Sequence, residues 1–353
     1  MNQNQIIPFL TTKSLHPENQ ESPIHFLHKW QTPIKYFYRR NHFPYPLLTQ
    51  HHFWIQISGQ VHQPRFFHYN EILSMPSKSL VVPLECAGNQ RANFNPKVYG
   101  EQWEEGAISQ GKWTGVPLKD ILEKAGLSQN AQEIVFEGAD FGKKPGIHEN
   151  IPFERSLPLE KALHPDTIIA FQYNDRPLTY KHGYPFRLIV PNWYAMASVK
   201  WLSKIKVIDD AYKGPFQTDD YVYYPHEDHD RDKFPVTTLN VNSIIQKPIH
   251  LSILNTGVHE VKGITWTGNG RITELQLSFD KGKTWKNATI HSLPNQDYTW
   301  SSWSYIWKVE EKGEYTIYSR ARDSSGHIQP LTPFWNRKGY GYNAVSMIAV
   351  KVE

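Results

Sequence analysis

The sequence predicts an α+β chain: a mixed α/β domain over residues 35–234, an all-β sandwich of immunoglobulin size over residues 235–353, and an N-terminal extension over residues 1–34. Three observations carry that prediction. Strand and helix signals interleave up to Asp209, the stretch Ala211 to Asp232 is aromatic, acidic and rich in histidine without a clear period, and the chain beyond Phe234 alternates strongly. A length of 353 residues also exceeds what one hydrophobic core commonly serves.

In the first region Phe53, Ile55 and Ile57 alternate with polar or amphipathic neighbours before Gly59, which reads as a strand. Tyr69 to Met75 stops at Pro76 as a short helix does, and Ser79 to Leu84 is an apolar run of buried-strand type. Leu118, Ile121, Leu122 and Ala125 share one helical face, with Pro117 ahead of the first turn and Gly126 placed as a C-terminal cap. Thr167 to Gln172, Phe186 to Val190 and Val199 to Ile208 read as further strands. In the second region Leu275, Leu277 and Phe279 alternate up to the turn Asp280-Lys281-Gly282-Lys283, and Trp303 to Val309 and Tyr315 to Ala321 repeat the period of two. Short strands at this spacing indicate a β-sandwich.

Composition narrows the function. An apolar share of 39%, a charged share of 20% and an aromatic share of 14% describe a chain that folds. A net charge of +4, with Lys and Arg dispersed, favours small anions over nucleic acid as partners. Cys86 is the one cysteine, so no intramolecular disulfide can form. The first residues show no basic segment ahead of an apolar one, and no apolar run approaches the roughly 20 residues of a membrane span. The cytoplasm is the expected location.

Cys86 ends an apolar strand and opens the small-residue loop Ala87-Gly88-Asn89, with Arg91 close behind. Small neighbours leave the sulfur accessible, and a nearby cation favours the thiolate, the form that attacks or ligates. On position alone it also reads as a buried structural cysteine. Two other segments add cations and donors at strand ends: Arg39-Arg40-Asn41-His42, and Lys181-His182-Gly183-Tyr184-Pro185-Phe186-Arg187 followed by Ser198-Val199-Lys200. Loops of this kind bind ligands with phosphate tails. The run His226-Glu227-Asp228-His229-Asp230 has the look of a metal cluster but lacks rigid spacing and reads as a solvated loop.

Taken together, these residues resemble the sulfite oxidase family of molybdenum-cofactor oxidoreductases. The segment Leu84 to Arg91, LECAGNQR, followed by Trp103, Gly106-Ala107-Ile108 and Lys112-Trp113, is similar to the family's core signature. So are Arg40-Asn41-His42, Phe136-Glu137-Gly138-Ala139-Asp140, His182-Gly183-Tyr184-Pro185 with Arg187, Ser198 to Leu202, Asp220-Tyr221 and, near the end, Trp335-Asn336. The match is colinear from about Tyr38 to the C-terminus.

The resemblance implies a molybdenum centre ligated by Cys86 beside the dithiolene of molybdopterin, a soft sulfur ligand suiting a redox metal. It implies that His42, Asp140, His182, Arg187, Ser198 and Lys200, with Arg40 and Asn41, hold the pterin and its phosphate. It further implies that Arg40, Arg91, Tyr221 and Lys338 meet a small oxyanion while Trp103 walls the pocket. Sulfite is the expected substrate, oxidised to sulfate by oxygen-atom transfer; reduction of nitrate or an S-oxide is the alternative at the same kind of centre. The final domain implies a homodimer. With no haem motif in the chain, a separate electron acceptor such as a cytochrome is expected. Lys338 stands where the family carries an arginine, Gln90 where many relatives carry another, and the stretch Gly339 to Val345 departs from the common pattern. Two other classes compete: a cysteine hydrolase using Cys86, for which an elbow motif is missing, and a binding module without cofactor, against which the retained Cys86, His182, Arg187 and Lys200 speak.

Overall fold

The computed structural model describes residues 8–27, 29–48 and 53–353; the remaining positions of the expected extension and first domain lie outside the described residues. Sheets dominate. The described helices are the α-helices Tyr69–Ser74, Leu118–Ala125 and Leu159–Ala162, single 3-10 turns and one π-helical turn, Phe216–Asp220. The α+β expectation holds, but the "mixed α/β" reading of the first region needs correction: nearly all strand pairs are antiparallel, so no helical crossover is required. The exception in that region is Leu202–Ile208, which runs parallel to Trp54–Gly59.

Two five-stranded sheets build the first region. One contains Arg176–Pro177, Ile168–Tyr173, Ile108–Pro117 and Lys78–Glu85 in that order, with Arg187–Ile189 also paired to Ile168–Tyr173. The other runs Arg65–His68, Trp54–Gly59, Leu202–Ile208, Glu133–Lys143, Asn150–Pro158. The helix Leu118–Ala125 forms where the spacing predicts, and Gly126 ends it at φ +67. Its Leu118, Ile121 and Leu122 are fully buried, each contributing about 2 kcal/mol by leaving water.

The strand predicted over Val199 to Ile208 starts only at Leu202. Trp201 adopts φ +50, which breaks an extended run. Ser198 to Lys200 are thereby released to form a loop, and this loop reaches the site.

Beyond Phe234, Asn242–Lys247, Gly257–Trp266, Ser301–Val309 and Thr289–His291 form one sheet. Ile253–Leu254, Ser346–Val352, Gly313–Asp323, Ile272–Ser278 and Lys286–Asn287 form the other. The alternation seen in the sequence is the burial pattern here: Trp303, Trp307 and Val309 face inward with Leu275, Leu277, Ile317 and Ala321.

The two regions share a core. Val236, Leu239, Ile244, Ile264, Trp266 and Trp300 pack in the same cluster as Ile55, Phe136 and Val207. Polar ties follow the same seam: Trp266 Nε1 donates to Glu85 at 2.8 Å, and the Gly341 amide donates to the Ala87 carbonyl at 2.8 Å. The N-terminal segment is fastened as well. Its hairpin, Thr11–Leu15 and Glu18–Glu21, bridges Arg39 through Gln20, and the Ser22 amide donates to the Gly106 carbonyl at 2.9 Å.

Candidate active site

Loops from both N-terminal sheets surround an inner cavity, closed relative to the open one beside it. Arg40, Asn41, His42, Cys86, Asp140, His182, Arg187, Ser198, Lys200 and Tyr221 all line it, so the structure gathers residues spread along the chain from Arg40 to Tyr221. Local geometry explains each placement. Cys86 follows the last residue of Lys78–Glu85 and its amide is anchored on the Ala107 carbonyl at 2.9 Å. Asp140 sits where the Glu133–Lys143 strand loses register against its neighbour, between Glu137 and Phe141, which turns its side chain out of the ladder. His182 closes a 3-10 turn, and Arg187 opens the next strand.

This cavity is basic. Arg187 is buried, and Arg40 and Lys200 are exposed only in part; among the described residues none of the three is within ion-pair distance of a carboxylate. Burial and the charge of Arg187 push the Lys200 amine well below its usual value, opposed by Asp140. Burial brings Arg187 down to about 10. The Asp140 carboxyl is raised to about 6 by burial, against the pull of Lys200. His182 is held neutral by burial and by Arg187, and its Nε2 is buried without a hydrogen-bond partner among the described residues. Cations without a carboxylate partner, beside an orphaned imidazole nitrogen, suit an anion rich in oxygen.

A second, open cavity of about 1220 Å³ adjoins the first, and the two share Arg40, His42, Cys86 and Tyr221. Its other walls include Arg91, Tyr99, Glu101, Lys143, Lys144, Asp220, Lys338 and Tyr340. Cys86 therefore stands at the boundary between a closed basic chamber and an open basic mouth. Burial raises its thiol, and Arg40 and Arg91 pull it back toward the thiolate.

The mouth is ordered around Tyr221. His42 is held neutral by burial and by the cations Arg40, Lys200, Lys144 and Arg155. Arg40 Nη2 lies 3.2 Å from His42 Nδ1 and, as a guanidinium, can only donate, so the imidazole proton sits on Nε2. That nitrogen donates to the Tyr221 hydroxyl at 2.7 Å, which leaves the phenol's own proton free for a ligand. The Tyr221 ring also stacks on Tyr340 at 5.3 Å and lies 5.2 Å from the Arg155 guanidinium. Both nitrogens of His42 are thus engaged within the protein. It orients the Tyr221 hydroxyl and also lines the closed cavity, where the sequence placed it among the groups holding the pterin.

Other expectations are corrected too. Trp103 lines neither cavity; it is fully buried in the apolar cluster that also contains Cys86, because the Arg91–Asn93 turn folds over it and the Ala92 amide donates to its carbonyl. Gln90 is buried outside both cavities at φ +62, so this departure from the family does not touch the mouth. Arg91 reaches the mouth, yet its Nε donates to the Lys338 and Gly339 carbonyls at 3.1 and 3.2 Å and its Nη1 to the Glu101 carbonyl at 3.1 Å. It ties the C-terminal loop down. Gly88 and Gly339 make room for that guanidinium: a Cβ on Gly88 would lie 2.6 Å from Arg91 Nη2, and Gly339 sits at φ +61 with Val98 2.3 Å from where its Cβ would be. Lys338 lines the mouth as expected, 3.8 Å from Asp220, while Arg337 turns away to Asp230.

Sequence reasoning missed several residues. Lys144 pairs with Asp220 at 3.1 Å, and Glu18 holds Arg39 at 2.8 Å and Lys181 at 3.0 Å. Asn19 accepts from the Asn41 amide at 2.8 Å. Tyr340 carried one signal, its place in the divergent stretch after Lys338.

The comparisons fit this geometry. Residues 42–216 match the oxidoreductase molybdopterin binding domain, and residues 233–353 match the Mo-co oxidoreductase dimerisation domain. Sulfite oxidase of Gallus gallus is 32% identical over 94% of this chain and 76% of its own length. The chain belongs to the sulfite oxidase family of molybdenum-cofactor oxidoreductases. Another family member, the mitochondrial sulfite oxidase of Drosophila melanogaster, is 33% identical over 97% of this chain; the chain spans 63% of that relative. Among solved family structures, the sulfane dehydrogenase SoxCD of Paracoccus pantotrophus superposes with a TM-score of 0.85 at 26% identity, over 99% of this chain and 92% of the other.

The family cofactor, molybdenum bound to molybdopterin, fits the residues present. The orphaned His182 Nε2 and the unpaired Arg187 and Lys200 suit its pterin and phosphate, and the thiol of Cys86 is a soft donor at the cavity boundary.

Proposed function

We propose that this chain oxidises sulfite to sulfate. The observation that carries the reading is the position of Cys86, with a closed cavity for an anionic cofactor on one side and an open cationic mouth for a small oxyanion on the other. Cofactor bound through Cys86 supplies two-electron oxygen-atom transfer. The protein supplies the rest. Lys143, Lys144 and Lys338 at the rim outweigh Asp220 and Glu101 and draw a dianion inward. Arg40, shared by both cavities, keeps its charge at any working pH and meets the anion where water is scarce. Tyr221, oriented by His42, donates its free proton to an oxygen of the anion. Electrons leave one at a time to a separate carrier, for which a cytochrome is the natural class.

Residues 235–353 we read as an immunoglobulin-like dimerisation sandwich, a division supported by the match beginning at residue 233, and the working form as a homodimer. The test is sulfite-dependent reduction of ferricyanide, expressed per bound molybdenum, on the wild type and on Cys86→Ser. Turnover that vanishes in the variant supports the proposal. A wild type that carries molybdenum and ignores sulfite overturns the substrate, and nitrate and sulfoxide reduction with a reduced viologen would then be measured.

A further inference from the structure

The mouth contains a second phenol beside Tyr221. Tyr340 lines it, its ring stacked on Tyr221 at 5.3 Å with 26° between planes, and the Arg91 guanidinium carbon lies 5.0 Å from the ring centre. The backbone of Tyr340 is fixed from both sides by one buried side chain: its amide donates to Asn336 Oδ1 at 3.0 Å, and Asn336 Nδ2 donates to its carbonyl at 2.8 Å. The ring is therefore preorganised. Its hydroxyl, by contrast, makes no hydrogen bond to any described residue. Burial raises that phenol to about 12, against the pull of Arg91, so it stays a donor at working pH.

The neighbouring cations explain why such a donor matters. Arg91 has two of its nitrogens engaged with the carbonyls of Lys338, Gly339 and Glu101, which fixes its orientation and leaves Nη2 as its unengaged nitrogen. Lys338 brings a point charge and is drawn toward Asp220 at 3.8 Å. Directional donors lining the mouth are then the phenols of Tyr221 and Tyr340 together with the unengaged N–H groups of Arg40 and Arg91.

Resting on the sulfite reading above, we infer that Tyr340 is a specificity-determining residue of the mouth, its hydroxyl donating to an oxygen of the bound oxyanion beside Tyr221. The anion meets a pair of stacked phenols in place of a fully free guanidinium.

Holoenzyme carrying Tyr340→Phe tests this. The expected result is a KM for sulfite about tenfold higher with kcat within about twofold, the loss of one hydrogen bond to a charged group. Sulfate affinity, measured by calorimetry, should weaken by the same factor. A structural role for the ring alone would leave both constants unchanged, because Phe keeps the stack on Tyr221 and the contact with Arg91. Tyr340→Leu, which removes the ring, should lower kcat as well by freeing Tyr221. Wild-type KM and sulfate affinity in Tyr340→Phe would overturn the inference. If the wild type does not turn over sulfite, the function proposed above fails, and the sulfate titration alone decides the role of Tyr340.

Discussion

The closed cavity and the open mouth are both basic, but they are built differently. In the closed cavity Arg187 and Lys200 have no carboxylate within ion-pair distance among the described residues, only neutral oxygens of Ser198, Arg40 and Asn41, and His182 keeps an orphaned nitrogen, so the charge is left for a ligand. In the mouth Lys144 and Lys338 share the carboxylate of Asp220. One site holds its anion by uncompensated charge in low dielectric. The other exchanges anions, since charges that already have protein partners release a product easily.

That contrast can be broken most directly at Arg187. In Arg187→Met the molybdenum content of the purified protein should fall about 10- to 100-fold, as for loss of a supporting residue around a metal group. Protein made without molybdenum should instead gain about 1–4 kcal/mol, because a buried cation with no carboxylate partner has been replaced by an apolar side chain. Plasma mass spectrometry and thermal unfolding measure the two. A destabilised apoprotein would show that Arg187 is structural and would erase the difference between the cavities.

At the boundary, Trp266→Phe leaves the fully buried Glu85 with one partner fewer. Unfolding should cost about 1–3 kcal/mol less, measured by denaturant titration. An unchanged midpoint would mean that the seam between the regions does not support the strand leading to Cys86.

In the mouth, Lys338→Arg should lower the KM for sulfite about fivefold by restoring a planar fork. A KM that stays the same would mean Asp220 captures the new guanidinium.

The smallest effect lies outside both cavities. Burial lowers the His25 imidazole, but the hydrogen bond and charge of Glu105 at 3.2 Å raise it further, to a net value above 6.5. A raised histidine contributes stability that is complete below 6.5 and is lost as pH rises through the folded-state value. Hydrogen exchange at residues 24–26 should therefore quicken from pH 6 to pH 8 beyond the intrinsic rate, by about 1 kcal/mol or less, and Glu105→Gln should abolish that excess.

How much of this was legible in the sequence follows from contact range. Cys86, His182, Arg187 and Lys200 sit in short segments whose strand-to-loop transitions are local, and the structure brings them together where expected. The helix at Leu118–Ala125 and the inward Trp303 and Trp307 follow from periodicity. Contacts such as Arg91 with Gly339, 248 residues apart, carry no local signal, so neither the tethering of Arg91 nor the placing of Tyr340 could be read in advance. Trp103 was misplaced for a related reason, since an aromatic next to a small-residue loop suits a wall or a core equally. The early end of the strand at Leu202 depended on one left-handed backbone at Trp201, a conformation that sequence pattern does not reveal.

The N-terminal hairpin sets an order of events. Glu18 is synthesised early, but its partner Lys181 comes 163 residues later, and the Gly106 carbonyl that receives the Ser22 amide also emerges after it. Asn41, a wall of the closed cavity, donates its amide to Asn19 Oδ1 and its Nδ2 to the Glu18 carbonyl only when the hairpin docks. The hairpin can therefore dock only on partners that lie far along the chain, and it braces from behind a wall of the chamber that suits the cofactor.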